Sequence, residues 1–568
     1  MSQWPAAPGT ELDRFSHLTA GAGGDNLLWY LRGRHGNEVD RLHIDPSLWF
    51  YRNRQSVLGD ALESQPAFMG PPVFSYPYAG YTEFLAAQAS RAGSVFMGTN
   101  DGMMHSFNAA NGVERWAYVP SVVIPNMWKL ADLQYKDKHT NYVNGSPVTT
   151  DICTANCTNA ATAVWKTILV AGLNGGGRGY FALDITNPDA PALLWEFTTT
   201  AGIGAVKDND LGYTFGQPVV TRKLDGTWVV LVTSGYDNGT DSATRASPTS
   251  FVANSPAGSG GGFLYVLNAG TGAIISKIAT GAGTAASPSG LAKIAGYNAE
   301  PNGNRASFVY GGDLQGNLWR FDINSTTTAA IGTGSAMKLA SLFSDTGGTI
   351  AQPIMTTPQL GVILGKRVVF IGTGKYLEVA DLSTTQVQTQ YAIKDDDATA
   401  TLVNPRNTLV HQYLIANPDG TATRLAAASA TATTTGSNPV DFGTGRGWFV
   451  DLPESRERVN IDGKLVLGTL LVPSIVPSAT ECSPGGFGWL NFFDYKTGGA
   501  VTTSGIASGK YDSPIVGTNV LFIDGNPIVE VVTATEPTPK KDPTVDFKAT
   551  AGGFSGKRML WRELIPAD

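Results

Sequence analysis

The 568 residues carry 40 Lys and Arg against 47 Asp and Glu, a net charge of −7, and 15% of them are charged. That balance leaves no basic footprint for nucleic acid, and no apolar run approaches the span of a bilayer. The 67 glycines and 32 prolines, beside 42% hydrophobic and 10% aromatic residues, fit a turn-rich all-β chain with ample material for a core.

After Met1 the chain reads Ser-Gln-Trp-Pro-Ala-Ala-Pro-Gly, without the basic and apolar stretches of a secretory signal, as expected of a cytoplasmic protein or of a piece excised from a larger secreted chain. Residues 1–60 read as a lead-in segment and 61–568 as a run of repeats. The first clear unit is 95–116. In it an alternating apolar run meets the Asp101-Gly102 turn, a second run meets Asn108-Ala-Ala-Asn-Gly112, and Trp116 lies in the next strand. Period-two runs joined by Gly-rich turns are antiparallel strands.

Next come Cys153 and Cys157 in a polar segment between two apolar runs. A disulfide formed in an oxidising compartment is favoured, because a Cys-x3-Cys pair with no second pair and no nearby His lacks the four ligands of structural zinc. Cys482 is left over, as a buried or turn thiol unless its partner lies outside this chain. Further copies of the unit follow at 179–197, 262–275, 309–322, 368–377, 447–451 and 488–498. About seven such units, irregularly spaced, predict a modified β-propeller with long inserted loops.

Catalytic patterns are missing. His17, His35, His43, His105, His139 and His411 are scattered, without a His-Glu-x-x-His pair. Gly172–Gly179 imitates a phosphate loop but runs into the alternating 180–184, a strand instead of the helix whose N-terminus would hold an anion. Asp208-Asn-Asp210, Asp237-Asn-Gly-Thr-Asp241 and Lys394-Asp-Asp-Asp397 each offer a few oxygens at loop spacing, and solvated turns explain them as well. The enzymatic rival is a quinoprotein dehydrogenase, whose repeats also read Asp-Gly, Asp-x-x-Thr-Gly, Trp; the adjacent cysteines such enzymes place beside the quinone are absent from the sequence.

The ordered blocks Leu31-Arg-Gly33, 52–60, Ser64-Gln-Pro66, 98–105, 118–121, 142–147, 165–173, 175–188, 311–322, 372–376 and 561–564 resemble the C-terminal propeller of the PilY/PilC family of type IV pilus biogenesis factors and tip-associated adhesins. The resemblance implies an extracellular, non-enzymatic module at the cell surface or pilus tip. It would support pilus assembly or oppose retraction through minor pilins, and attach to host or abiotic surfaces. A variable N-terminal half, sometimes von Willebrand A-like, precedes this propeller in the family. A calcium-regulated host- or carbohydrate-binding adhesin is an alternative.

Calcium-dependent members carry an acidic loop just before a Val-Tyr-Ala-Gly-Asp block. In this chain the aligned stretch is 299–307, with Ala299, Pro301, Gly303 and Ser307 at the ligand positions. Without carboxylates there, the oxygen set a hard cation needs is degraded; Glu300, Asn302, Asn304 and Ser307 remain as weak donors in a shifted register, and no other cofactor is expected. Where some members have Arg-Gly-Asp, this chain has Arg32-Gly33-Arg34, which lacks the acid that would reach a receptor metal.

Overall fold

The computed structural model describes residues 24–39, 50–200, 206–239, 257–397, 399–478, 485–523, 526–535 and 540–541. Cys482, His17, His43, Asp241 and the block 561–564 lie outside them.

Among the described residues, six four-stranded antiparallel units and one three-stranded unit follow one another along the chain, the third and fourth joined in a nine-stranded sheet and the fifth and sixth in a ten-stranded one. Their first strands are Ala67–Met69, Val148–Ala155, Val219–Arg222, Ile294–Glu300, Gln359–Ile363, Lys464–Val466 and Ile515–Ile523. The first strands of the first and second, third and fourth, fourth and fifth, and fifth and sixth units approach one another, and those of the second and seventh approach the second strand of the third and of the sixth, which places the first strands innermost around a common axis. These seven units are the blades of a β-propeller. Five of the seven first strands are preceded directly by a proline: Pro66, Pro147, Pro218, Pro358 and Pro514. Proline cannot donate to a ladder, so it is tolerated where a strand enters on a sheet edge.

The expected unit at 447–451 needs correction. Gly447–Asp451 pairs antiparallel with Thr389–Asp395 and is the fourth strand of the fifth blade. The seventh blade is instead the sheet beginning at Ile515, whose strands Ile515–Ile523 and Asn526–Thr533 pair in antiparallel register. The long insertion between the third and fourth strands of the fifth blade folds as a hairpin, Val410–Ala416 with Thr423–Ala427. It joins the outer strand of one blade to that of the next, so the two blades share a ten-stranded sheet.

The cores lie between blades. One cluster joins Phe96 and Met104 to Leu169 and Phe181, a second Trp165 and Phe197 to Trp228 and Tyr265, and a third Val229 and Leu264 to Val309 and Phe321. The series continues through Tyr310 with Ile371, Phe370 with Phe493, and Leu490 with Val531. The second to sixth blades therefore bury both faces against neighbours.

Tryptophans on outer strands tie the blades further. Trp116 Nε1 donates to Pro188 O, Trp195 Nε1 to Ala269 O and Trp448 Nε1 to Tyr495 O, each across to a turn of the next blade, at 2.9, 2.9 and 3.1 Å. The Asx-x-x-x-Gly turn of the repeat has a physical reason here. Gly272 and Gly498 hold φ of +72° and +69°, and a Cβ on either would stand 2.7 or 2.5 Å from the docked indole of the preceding blade.

Candidate functional site

Antiparallel order puts two kinds of connection at one end of the propeller: the turns between second and third strands, and the links into each first strand. The family-like blocks 98–105, 118–121, 142–147 and 372–376, the turn 175–178 that opens 175–188, and the turn within 311–322 all map to this upper end. Side chains bind them together. Ser64 Oγ accepts from Gly98 N at 3.0 Å and donates to Gly145 O at 3.2 Å, while Asn100 donates to Asp60 and accepts from Tyr142 N. Gly176 lies so close to Tyr142 that a Cβ would stand 1.7 Å from its carbonyl oxygen.

The charged members of the blocks are consumed by structure. His105 is 5% exposed, with Nδ1 2.6 Å from Glu114 and Nε2 3.1 Å from Asp101. Burial alone would lower its pKa, and the two carboxylates outweigh it and raise it. Asp313, fully buried, accepts from Trp319 Nε1, from the Asn317 side chain and from two backbone amides of its own turn. Its carboxyl is pushed up by that burial against these bonds.

The acidic loop clusters also have partners. Asp208 and Asp210 grip the Lys277 ammonium at 2.9 and 2.6 Å. Asp395 receives Arg320 at 2.6 Å and the Tyr310 hydroxyl at 2.5 Å, and Asp397 receives Arg367. Among the described residues no group of three or more His, Cys, Asp or Glu is arranged to hold a metal. Around the axis at the upper end stand Glu63, Lys293 and Asp462. Lys293 Nζ donates to Asp462 Oδ1 at 2.9 Å, and Asn174 Nδ2 donates to Glu63 Oε2 at 2.7 Å. Asp462 keeps 40% of its side chain open while lying deep in the concave mouth. Desolvation there would raise its carboxyl, and Lys293 with Thr357 holds it below the usual range instead.

The stretch aligned with the calcium loop is at the opposite, lower end. It is the tip of a hairpin between Ile294–Glu300 and Arg305–Gly312, closed by a single 3-10 turn, Pro301–Gly303, and by Asn304 at φ +44°. Asn302 is exposed and Ser307 half-buried in the strand; Glu300 pairs with Arg305 through the backbone. Asn304 is 2% exposed and fully engaged: Oδ1 accepts from Asn298 Nδ2, and Nδ2 donates to Val220 O at 3.2 Å and to the Tyr76 hydroxyl at 3.4 Å. Its carbonyl accepts from Arg222 N and Thr221 Oγ1. The residue joins the fourth blade to the third.

Tyr76 belongs to an aromatic wedge inserted between the first two strands of the first blade. Its ring lies 5.1 Å from Phe74, 4.9 Å from Tyr81, 6.0 Å from Trp165 and 5.3 Å from Trp228. Beside this wedge Cys153 and Cys157 are disulfide-bonded, with Cα atoms 5.8 Å apart, across the end of Val148–Ala155. Arg32-Gly33-Arg34 ends the helix Gly24–Leu31, with Gly33 at φ +97° and the Arg34 guanidinium 4.0 Å over the Trp29 ring. No described helix is long and apolar enough to cross a membrane.

Comparison with known proteins places this geometry. Residues 58–423 match the family model described as the PilY1 beta-propeller domain. The type IV pilus biogenesis factor PilY1 of Pseudomonas aeruginosa PAO1 is 32% identical over 493 residues, covering 79% of this chain and 39% of that protein. A PilY1 homolog of Xylella fastidiosa Temecula1 is 30% identical over 575 residues, covering 94% of this chain and 40% of that protein. The chain thus spans about two fifths of the length of these curated relatives. The crystal structure of the P. aeruginosa PilY1 C-terminal domain superposes with a TM-score of 0.59 at 26% identity, over 84% of this chain and all of that one. The chain belongs to the PilY1 β-propeller family.

Proposed function

We propose that this propeller is a non-enzymatic module of a type IV pilus biogenesis factor, acting outside the cell at the pilus tip or outer membrane. It supports assembly or opposes retraction through contacts with minor pilins, and contributes to attachment at host or abiotic surfaces. In this reading residues 1–60 lead into the propeller of 61–568. The observation that carries it is the family match over 58–423, whose blocks interlock at one end of the ring. The quinone alternative loses its main support once its shared repeat is accounted for by tryptophan docking, a structural device independent of any cofactor. Reconstitution with pyrroloquinoline quinone and calcium, followed by dye reduction with alcohols and sugars, is expected to give no turnover; reproducible turnover would overturn the non-enzymatic reading.

The same reading makes the 299–307 hairpin independent of calcium. Its buried Asn304 spends Oδ1 on Asn298 of its own hairpin and Nδ2 on Val220 of the third blade, and extracellular calcium modules bind at only about 10⁻⁴ to 10⁻³ M even with carboxylates in place. Titration calorimetry is expected to show no saturable site at this loop. Asn304→Ala should destabilise the chain by about 1–3 kcal/mol, through buried groups left unpaired, equally with calcium and with chelator. Tight binding that disappears in an Asn302→Ala, Asn304→Ala double variant would contradict this.

A further inference from the structure

A pocket of about 410 Å³ lies where the lead-in meets the first blade, lined by Arg52, Asn53, Ser56, Asp60, Asp101 and Tyr135 among others. That volume falls in the range of roughly 300–1,000 Å³ typical of small-ligand sites. Its one uncommitted strong donor is Arg52. The guanidinium is fixed by Nε donating to Leu130 O at 2.6 Å and by lying 4.4 Å over the Tyr135 ring. Among the described residues, neither Nη nitrogen has a hydrogen-bond or ion-pair partner within the protein. Arg54, next but one along the chain, differs: its Nε and both Nη nitrogens are spent on Glu38, Tyr30 O and Arg34 O. A held guanidinium with both Nη free is set up for bidentate capture of a carboxylate.

The facing wall sets what else the ligand carries. Asp60 accepts from Asn100 Nδ2 at 2.8 Å and lies 2.9 Å from His139 Nε2, and Asp101 accepts from Gly59 N at 2.9 Å. Burial would raise the Asp60 carboxyl, and the bonds from Asn100 and His139 hold it below its ordinary range, so it is an ionised acceptor at neutral pH. A carboxylate has about four lone-pair sites, which leaves Asp60 capacity for hydroxyl donors while its charge repels a second acid group. Asn53 and Ser56 are exposed polar residues on the same rim.

We propose that this pocket binds a uronic-acid unit of an acidic polysaccharide, its carboxylate on Arg52 and its hydroxyls on Asp60 and the Asn53–Ser56 rim. One carboxylate, several hydroxyls and the size of a monosaccharide are together what the walls select. The inference does not depend on the pilus reading, since it concerns only the residues of this pocket.

The test uses the whole chain and titrates D-galacturonate, its methyl ester, D-galactose, acetate and the dipeptide Gly-Ala, followed by saturation-transfer NMR. Saturable binding of galacturonate, with the ester and galactose weaker by at least about tenfold, or about 1.4 kcal/mol, is expected. Arg52→Gln should lose at least the same factor. Because Arg52 also bonds Leu130 O, the ligand series on the unaltered protein decides the matter if that variant folds poorly. Absence of saturation, equal binding of the ester, or acetate or Gly-Ala binding as well as galacturonate would each overturn the proposal.

Discussion

Trp448→Ala will destabilise the propeller by about 3–5 kcal/mol, the usual cost of removing a large aromatic side chain from a packed core. Trp448 is fully buried, donates to Tyr495 O in the next blade, and packs with Phe370 at 6.3 Å and Phe493 at 6.0 Å between ring centres. Gly498 is shaped to it, so the space left cannot be refilled by collapse of that turn without disturbing a left-handed residue. Trp448→Phe separates the two contributions. It keeps most of the ring and loses the N–H, leaving one carbonyl unpaired at about 1 kcal/mol. Urea denaturation read by circular dichroism measures both. A loss below about 1 kcal/mol for the alanine variant would mean that tryptophan docking does not hold these blades together.

Glu457→Ala is expected to cost a further large amount, about 3–5 kcal/mol, for an electrostatic reason. Arg424 and Glu457 are 3% and 1% exposed, and pair through both Nη groups at 3.0 and 2.9 Å. Ser474 Oγ donates to the same carboxylate at 2.6 Å, and Arg424 lies 3.7 Å over the Trp489 ring. Removing the acid leaves the buried Arg424 guanidinium, in the inserted hairpin at the joint with the sixth blade, with only the exposed Glu454 as an ionic partner, 3.6 Å away. Replacing both partners, Arg424→Met with Glu457→Leu, should recover most of the loss, since no charge is then left buried alone. Equal destabilisation by the single and double changes would contradict that explanation.

The repeat was legible because period-two runs, Asp-Gly turns and closing tryptophans are local consequences of hairpin geometry. The misplacement of one blade is equally physical. Gly447–Asp451, Gly-Trp-Phe-Val-Asp, has the look of a unit because it carries a docked tryptophan in an outer strand, as Glu114–Tyr118 and Ala192–Thr198 do. The seventh blade does carry an Asp-Gly pair, Asp524-Gly525, but in sequence it falls between the first and second strands, whereas Asp101-Gly102 of the first unit falls between the second and third. The proline heading five first strands would have found it, as Ser513-Pro514 stands where Ser64-Gln-Pro66 and Ser146-Pro147 stand in the first two blades.

Site residues were harder to read. Asn304 passes for a solvated loop residue in one dimension, and only the approach of Val220, Tyr76 and Asn298 turns it into a joint. Similarly, Asp208 and Asp210 look like donors awaiting a cation until Lys277, 67 residues further along from Asp210, supplies one. The disulfide was legible because its two cysteines are separated by four positions, Cys153 in the strand Val148–Ala155 and Cys157 just past its end.

The central claim is that the propeller works by holding minor pilins. Mixing this chain with each purified minor pilin of its own system, followed by size-exclusion chromatography and pull-down, tests it most directly. A stoichiometric complex with at least one minor pilin, formed equally in calcium and in chelator, is the predicted result. Failure to associate with any of them, alone or in combination, while the chain remains folded by circular dichroism, would contradict the account.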